Sequence, residues 1–300
     1  MTNLVTLTRI RMVLALRNKM FFFFSVVMPL LFFFLYAGIF AKSDPLRVRV
    51  FLGPVLALNV MGSFWGLSAT LVMYREQGIL RRFHVAPVSA ADMLASSVFA
   101  NFILTLPTVT VVLLFARFIF HVRNLGDLVT ALLFVCAGTI SFGSLGLVVA
   151  SITNTMQETQ VINQLLWLPL IFLSGATFPL GYLPEKVQAV SAFLPATFLV
   201  NGLQQATLSS RHITEREQIV CFLALVFWSM LSFFVASQLF RWEPETKIPR
   251  NAKMWAAATI IPFILLGIWE NGQGQMLKQA RAAHAVLEQS YSAPAPNTKQ

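Results

Sequence analysis

Tyr74-Arg75-Glu76-Gln77-Gly78-Ile79-Leu80-Arg81-Arg82-Phe83-His84-Val85-Ala86-Pro87 is the longest strongly cationic segment between two long apolar runs of this chain. Apolar runs of such length belong in lipid, because about 20 consecutive apolar residues cover the ~30 Å of a bilayer's hydrocarbon. The stretch between them is therefore a polar platform on one membrane face. A platform of this kind docks a partner outside the polypeptide, or serves only as a topology determinant whose arginines meet lipid phosphate.

Composition agrees with the membrane reading. Of 300 residues, 57% are hydrophobic and 11% charged, and 28 are Phe. A soluble domain carries roughly 25% charged residues, so most side chains here never meet water. The net charge of +10 comes without a Lys/Arg block or aromatic–basic interleaving, which excludes a nucleic-acid surface as its explanation and leaves charge flanking membrane spans. Cys136 and Cys221 both fall inside apolar runs without metal-ligand spacing and read as small buried hydrophobes.

Outward from the platform, hydropathy places spans at 20–40, 50–73, 94–120, 127–152, 157–178 and 217–240. A shorter run at 254–269 contains Pro262 and reads equally as a seventh span or an interfacial helix. Met20–Phe40 is too long for the apolar core of a cleaved leader and reads as the first span. Residues 1–19 mix cations with Leu4, Leu7, Ile10, Leu14 and Leu16. They suit a helix in the headgroup layer or a plain basic lead-in. Three spans open on a capping box, Ser89-x-x-Asp92, Thr155-x-x-Glu158 and Thr214-x-x-Glu217, where a hydroxyl and a carboxylate satisfy the first free N–H groups of a helix. Lys and Arg number eleven over 1–19, 74–93, 153–156 and 241–253 and eight over 41–49, 117–126 and the much longer 179–216, a balance that puts the N-terminus inside.

Gly62-x-x-x-Gly66 lets two helices approach closely, within one bundle or between subunits. Span four has a similar set in Gly138, Ser141, Gly143, Ser144 and Gly146. Asn59, Asn101, Thr105, Thr108, Asn163 and Gln164 are the polar residues inside spans, and no Asp or Glu lies mid-span; a carboxylate proton relay is not visible. Residues 174–206 differ from the rest. The run Ser174-Gly175-Ala176-Thr177-Phe178-Pro179 must break its helix near Phe178, and 185–194 is too short to cross. Non-helical backbone at that depth belongs inside protein or against a cavity, so this segment reads as a re-entrant outer lid. The tail after Ser290 reads as disordered.

The chain has no P-loop, His-Glu-x-x-His or Gly-x-Ser-x-Gly motif, so the sequence offers no catalytic residue, no metal site and no nucleotide site of its own.

These features together resemble the permease subunits of type 2 ABC exporters, the drug, lipid and polysaccharide export permeases. Arg75-Glu76-Gln77-Gly78-Ile79-Leu80-Arg81-Arg82-Phe83 with Pro87 and Ser89 is similar to the family's Arg-Glu-x-x-Gly after span two. Leu173-Ser174-Gly175 through Phe178-Pro179, Leu183-Pro184 and Leu194-Pro195 is similar to its signature between spans five and six. The resemblance covers roughly residues 1–240. It implies a dimer of permeases in the cytoplasmic membrane, each bound to a cytoplasmic ATPase subunit that binds ATP and Mg²⁺, with no cofactor in this chain. It also implies that the loop after span two is a coupling helix that docks on the ATPase through Arg75, Glu76, Gly78, Arg81, Arg82, Phe83 and Pro87, in which the arginines could pair with acidic groups of the ATPase and Gly78 and Phe83 permit close packing. Gly175, Phe178, Pro179, Pro184 and Pro195 would form the outer gate.

The expected fold is thus all-α: an interfacial helix (1–19), a six-span bundle (20–240) and a C-terminal extension (241–300). Abundant Phe and neutral span interiors fit a hydrophobic or amphipathic, drug- or lipid-like substrate. A polysaccharide or glycoconjugate is the alternative within the family. A non-transporting scaffold or sensor is the alternative outside it, although no segment outside the spans is long enough to fold as a sensory domain.

Overall fold

The computed structural model of the protein describes residues 2–17, 23–41, 44–84, 89–178, 180–208, 216–242 and 251–273, and these are helical with no strand among them. In chain order they form α1 (Thr2–Arg17), a π-helical turn (Phe23–Val27), α2 (Met28–Leu35), a second π-helical turn (Tyr36–Phe40), α3 (Pro45–Met61), α4 (Ser63–Glu76) and α5 (Ile79–His84). Then come α6 (Ala90–Phe118), α7 (Leu128–Ile152), α8 (Met156–Leu173), a 3₁₀ turn (Leu180–Tyr182), α9 (Glu185–Ser191), α10 (Pro195–Leu208), α11 (Arg216–Leu239), α12 (Ala252–Ala258) and α13 (Ile261–Gln273).

Among the described residues five segments are long and apolar enough to cross a membrane: Arg47–Glu76, Ala90–Phe118, Leu128–Ile152, Arg216–Leu239 and Met254–Gly272. The protein is therefore a multi-pass membrane protein. Expected spans 50–73, 94–120, 127–152 and 217–240 match four of them, and the short run at 254–269 supplies the fifth. The other two expected spans do not reach that standard. Within 20–40, Met28–Ile39 is a shorter apolar helix. Within 157–178, α8 places Gln157, Glu158, Gln160, Asn163 and Gln164 in its first half, which lowers its apolarity.

Local chemistry explains the boundaries. The Ser89 hydroxyl accepts from the Asp92 N–H (3.0 Å) and the Thr155 hydroxyl from the Glu158 N–H (3.1 Å), so two expected capping boxes start α6 and α8. Thr214 lies outside the described residues. Asp127, not anticipated, caps α7 by accepting from the Val129 N–H at 3.1 Å. Pro45 and Pro195 each open a helix, where a missing N–H costs nothing. Gly78, at φ +68°, takes the left-handed turn that ends α4 and launches α5.

The bundle has two ends. At one, α1 lies along α6 and the Arg11 guanidinium sits 5.6 Å over the Tyr74 ring; this is the basic-loop end. At the other, the Tyr36 hydroxyl donates to the Thr177 carbonyl at 3.0 Å, tying the second π-helical turn to the segment after α8; this is the lid end. α7 is the central post, packed against α11, α4, α10, α6 and α3. Its glycines admit its neighbours: a Cβ on Gly146 would stand 2.4 Å from the Phe64 carbonyl oxygen of α4. α10 begins level with Gly138 and Val60, which face Leu199, and ends where Arg49 donates to the Thr207 and Leu208 carbonyls at 2.9 Å each. Below this large core a second cluster, including Leu71, Leu80, Met93, Leu147, Leu239 and Ala252, closes the basic-loop end.

The C-terminal segment runs the length of the bundle. Ala252 is buried in that second cluster, whereas Phe263 packs edge-on to Trp228 (5.0 Å between centroids) and Asn271 donates to the Ala189 carbonyl of α9 at 3.0 Å. Residues 252–273 thus start at the basic-loop end and finish at the lid end.

Candidate functional site

At the basic-loop end a chain turning out of the membrane must satisfy the last carbonyls of α7, which have no intrahelical partner. Two arginines from distant segments do so. Arg75, the last basic residue of α4, is 1% exposed, and its Nη2 donates to the Ala150 carbonyl at 2.7 Å and the Thr153 carbonyl at 2.8 Å. Arg241, just past α11, donates from Nη2 to the Thr153 carbonyl at 2.8 Å and the Ser151 carbonyl at 3.2 Å, and from Nη1 to Asn154 Oδ1 at 3.0 Å. One carbonyl therefore receives both guanidiniums at the negative end of the α7 dipole. Burial lowers the Arg241 pKa from its usual value, and the Glu158 carboxylate works against that shift.

The adjoining acids complete the knot. Glu76 Oε1 accepts from the Met156 N–H at 2.8 Å, capping α8 from another segment. Glu158 Oε2 accepts from the Asn154 N–H at 2.8 Å. The ends of α4, α7 and α11 and the start of α8 thus meet at the 153–156 turn, and α5 leaves from the same point.

Arg75 is a correction to the expected docking face: it points into the bundle, because the α7 carbonyls need a donor there. Glu76 is exposed but engaged with α8. Leu80 is fully buried and pins α5 to the core, while Arg81 on the same short helix is exposed. Arg82 and Phe83 lie in α5 with side chains outside the description, and Pro87 lies outside the described residues altogether. Truncating Arg75 strands the Ala150 carbonyl, and hydrogen bonds to a charged group are each worth about 1.5–3 kcal/mol. Arg75→Ala is therefore expected to lose about 3 kcal/mol of stability, read as an earlier unfolding midpoint in a denaturing-detergent titration, with Arg75→Lys intermediate.

At the lid end, Gly175 takes φ +88° and turns the chain out of α8. Phe178 is exposed and stacks on Phe172 at 6.5 Å. Pro184 precedes the first turn of α9 as its N-cap residue, and Pro195 opens α10. Pro179 lies outside the described residues. A shallow recess between α11 and α13 is lined by Arg216, Glu217, Trp269 and Glu270, among others. Glu270, 4% exposed, was not singled out from the sequence, where it stands at the end of an ambiguous segment. Among the described residues no group of three or more His, Cys, Asp or Glu is placed to hold a metal ion.

Among the described residues no helix packs onto the Cβ side of Gly62 or Gly66. Gly62 is the joint between α3 and α4, where an added Cβ would face only its own Asn59 and Leu58 carbonyls, and Gly66 opens onto empty space. Nearby, Asn163 of α8 donates to Ser68 of α4 at 2.7 Å, while Gln160 and Gln164 of α8 are exposed.

A family model described as ABC-2 type transporter matches residues 2–208. Among curated proteins, the chain is 24% identical over 158 residues to the linearmycin resistance permease protein LnrN of Bacillus subtilis, covering 53% of this chain and 41% of that one. It is 27% identical over 171 residues to ABC transporter G family member 20 of Dictyostelium discoideum, covering 56% and 23%. It is 25% identical over 162 residues to a protein named as a probable multidrug ABC transporter permease, YbhS, of Escherichia coli K12, covering 53% and 43%. The chain spans less than half the length of each of these relatives.

Proposed function

We propose that this chain, which belongs to the ABC-2 type transporter family, is the permease subunit of an ATP-driven exporter. It moves a hydrophobic or amphipathic, drug- or lipid-like substrate out across the cytoplasmic membrane, using energy from a separate ATPase subunit that binds ATP and Mg²⁺. The N-terminus lies in the cytoplasm, and the basic-loop end is the cytoplasmic end. The observation that carries this reading is the corner after α4: a short helix presenting Arg81, pinned by Leu80 and rooted where four helices are bonded together. A push on such a helix reaches the spans directly. The names of the resistance and multidrug permease relatives support the drug-like substrate over a polysaccharide.

The working unit is proposed to be a homodimer, with the α4–α8 face turned to the second copy. Gly66 is open there, and Gln160 and Gln164 would otherwise meet hydrocarbon. Segment 174–208, entering from the lid end and returning to it, is proposed as the re-entrant outer gate. Gly66→Leu is expected to leave the unfolding free energy within about 0.5 kcal/mol of wild type, because no described residue lies within 4 Å of the added Cβ, while lowering the cross-linked dimer fraction in membranes. Purification from detergent, with identification of the co-purifying proteins and an ATPase assay, tests the whole reading. A stoichiometric P-loop ATPase supports it, and a pure, ATPase-free oligomer from a controlled preparation overturns it.

A further inference from the structure

The family match ends at residue 208, yet the most densely bonded point of the basic-loop end draws a donor from residue 241. Arg241 is 6% exposed and places three hydrogen bonds on the 151–154 turn, sharing the Thr153 carbonyl with Arg75. A single cation on α7 would satisfy its dipole. A second one, brought beside the first at the cost of bringing two like charges together, does something the first cannot: it ties α11 and the segment leading to α12 to the same turn. Arg75 and Glu76 tie the docking corner to α7 and α8. Beside Arg241, the α11 end meets that turn through apolar packing and a long bond from the Ser151 hydroxyl to the Ala236 carbonyl at 3.5 Å.

We infer that Arg241 is a positioning residue of the coupling machinery. It locks the end of α11, and through it the C-terminal crossing, to the docking corner, so that all four helix ends shift as one body when the ATPase moves α5. This rests on the exporter reading above. The guanidinium is suited to the task because its planar fork reaches Ser151, Thr153 and Asn154 at once, whereas a lysine ammonium offers one compact donor point. Asn154 is the complementary half, its amide oxygen receiving Nη1.

The test uses the full chain in complex with its co-purified ATPase, with Cys136 and Cys221 replaced by Ser and spin labels at Gln157→Cys and Gln238→Cys. Both positions are exposed and neither belongs to the lock. With Arg241 present, the label-to-label distance distribution keeps its width whether or not ATP and vanadate are added. Arg241→Ala is expected to widen it about two-fold on adding nucleotide and little without, because the two ends then have independent states to populate. Asn154→Ala, which spares every Arg75 contact, and Arg241→Lys give smaller nucleotide-dependent widening, and they carry the test should Arg241→Ala fail to fold. Equal widening with and without nucleotide would mean a merely structural clamp, and no widening would mean no lock; either overturns the proposal. Failure to isolate any ATPase with the wild-type chain shows itself before a label is read and overturns the exporter reading, and this proposal with it.

Discussion

Charge reversal on α5, the proposed docking helix, by Arg81→Glu with Arg82→Glu, is expected to cut the ATPase recovered with the permease at least about 10-fold. Each cation facing an acidic partner surface contributes through steering and direct pairing, and truncating a buried, hydrogen-bonded charge pair costs about 2–5 kcal/mol. Only about 1.4 kcal/mol is needed for a tenfold loss. Reversal replaces attraction by repulsion, so the threshold is comfortably exceeded. The fold is spared because Arg81 is exposed and the helix is held by Leu80. Arg123→Glu, an exposed change of the same kind at the lid end, is the control and leaves recovery unchanged. Raising the salt concentration weakens the wild-type association in the same direction, as screening requires. Undiminished recovery with the double reversal would return these arginines to the role of topology determinants at the lipid surface.

The largest expected effect on the fold itself lies at Gly146. Its added Cβ would come 2.4 Å from a main-chain oxygen of α4 and 3.2 Å from two more Phe64 backbone atoms. Phe64 is fully buried, and a backbone cannot swing aside as a side-chain tip does. The two helices must separate along the contact that joins the central post to the root of α5. Gly146→Leu is expected to cost more than about 3 kcal/mol and to leave little folded protein on size-exclusion chromatography, with Gly146→Ala already shifting the unfolding midpoint. Gly66→Leu, the same change on the open face, is the contrast. An unchanged midpoint for Gly146→Ala would mean that α4 and α7 are not held at this spacing.

The contrast also shows where sequence reading stops. Gly66 and Gly146 sit in equally suggestive runs of small residues, and the hydropathy of a span says nothing about its rotation. Only the packed helices show that Gly146 faces a neighbour within the chain and Gly66 does not. Arg75 is a similar case. In sequence it is one of three cations flanking a span, indistinguishable in kind from Arg81; what separates them is the arrival of the α7 carbonyls, a partner 75 residues away in the chain. The segment 174–206 reads from sequence as a lid broken near Phe178, and the helix that Pro195 opens within it is not marked there, although a proline in first position starts a helix as readily as it ends one.

The sequence by itself determined that the chain lives in a membrane, where four of the five apolar crossings among the described residues run, which hydroxyls start two of the helices, and that the stretch after Tyr74 carries a family signature. Those properties follow from composition, periodicity and local hydrogen bonding, which act over a few residues. The tertiary structure alone decided that Arg75 faces in and Arg81 faces out, that 252–273 crosses the bundle from the basic-loop end to the lid end, and that Arg241 closes on the same carbonyl as Arg75. Each of those depends on which unsatisfied backbone group or open helix face lies opposite, and that is fixed only when distant segments come together.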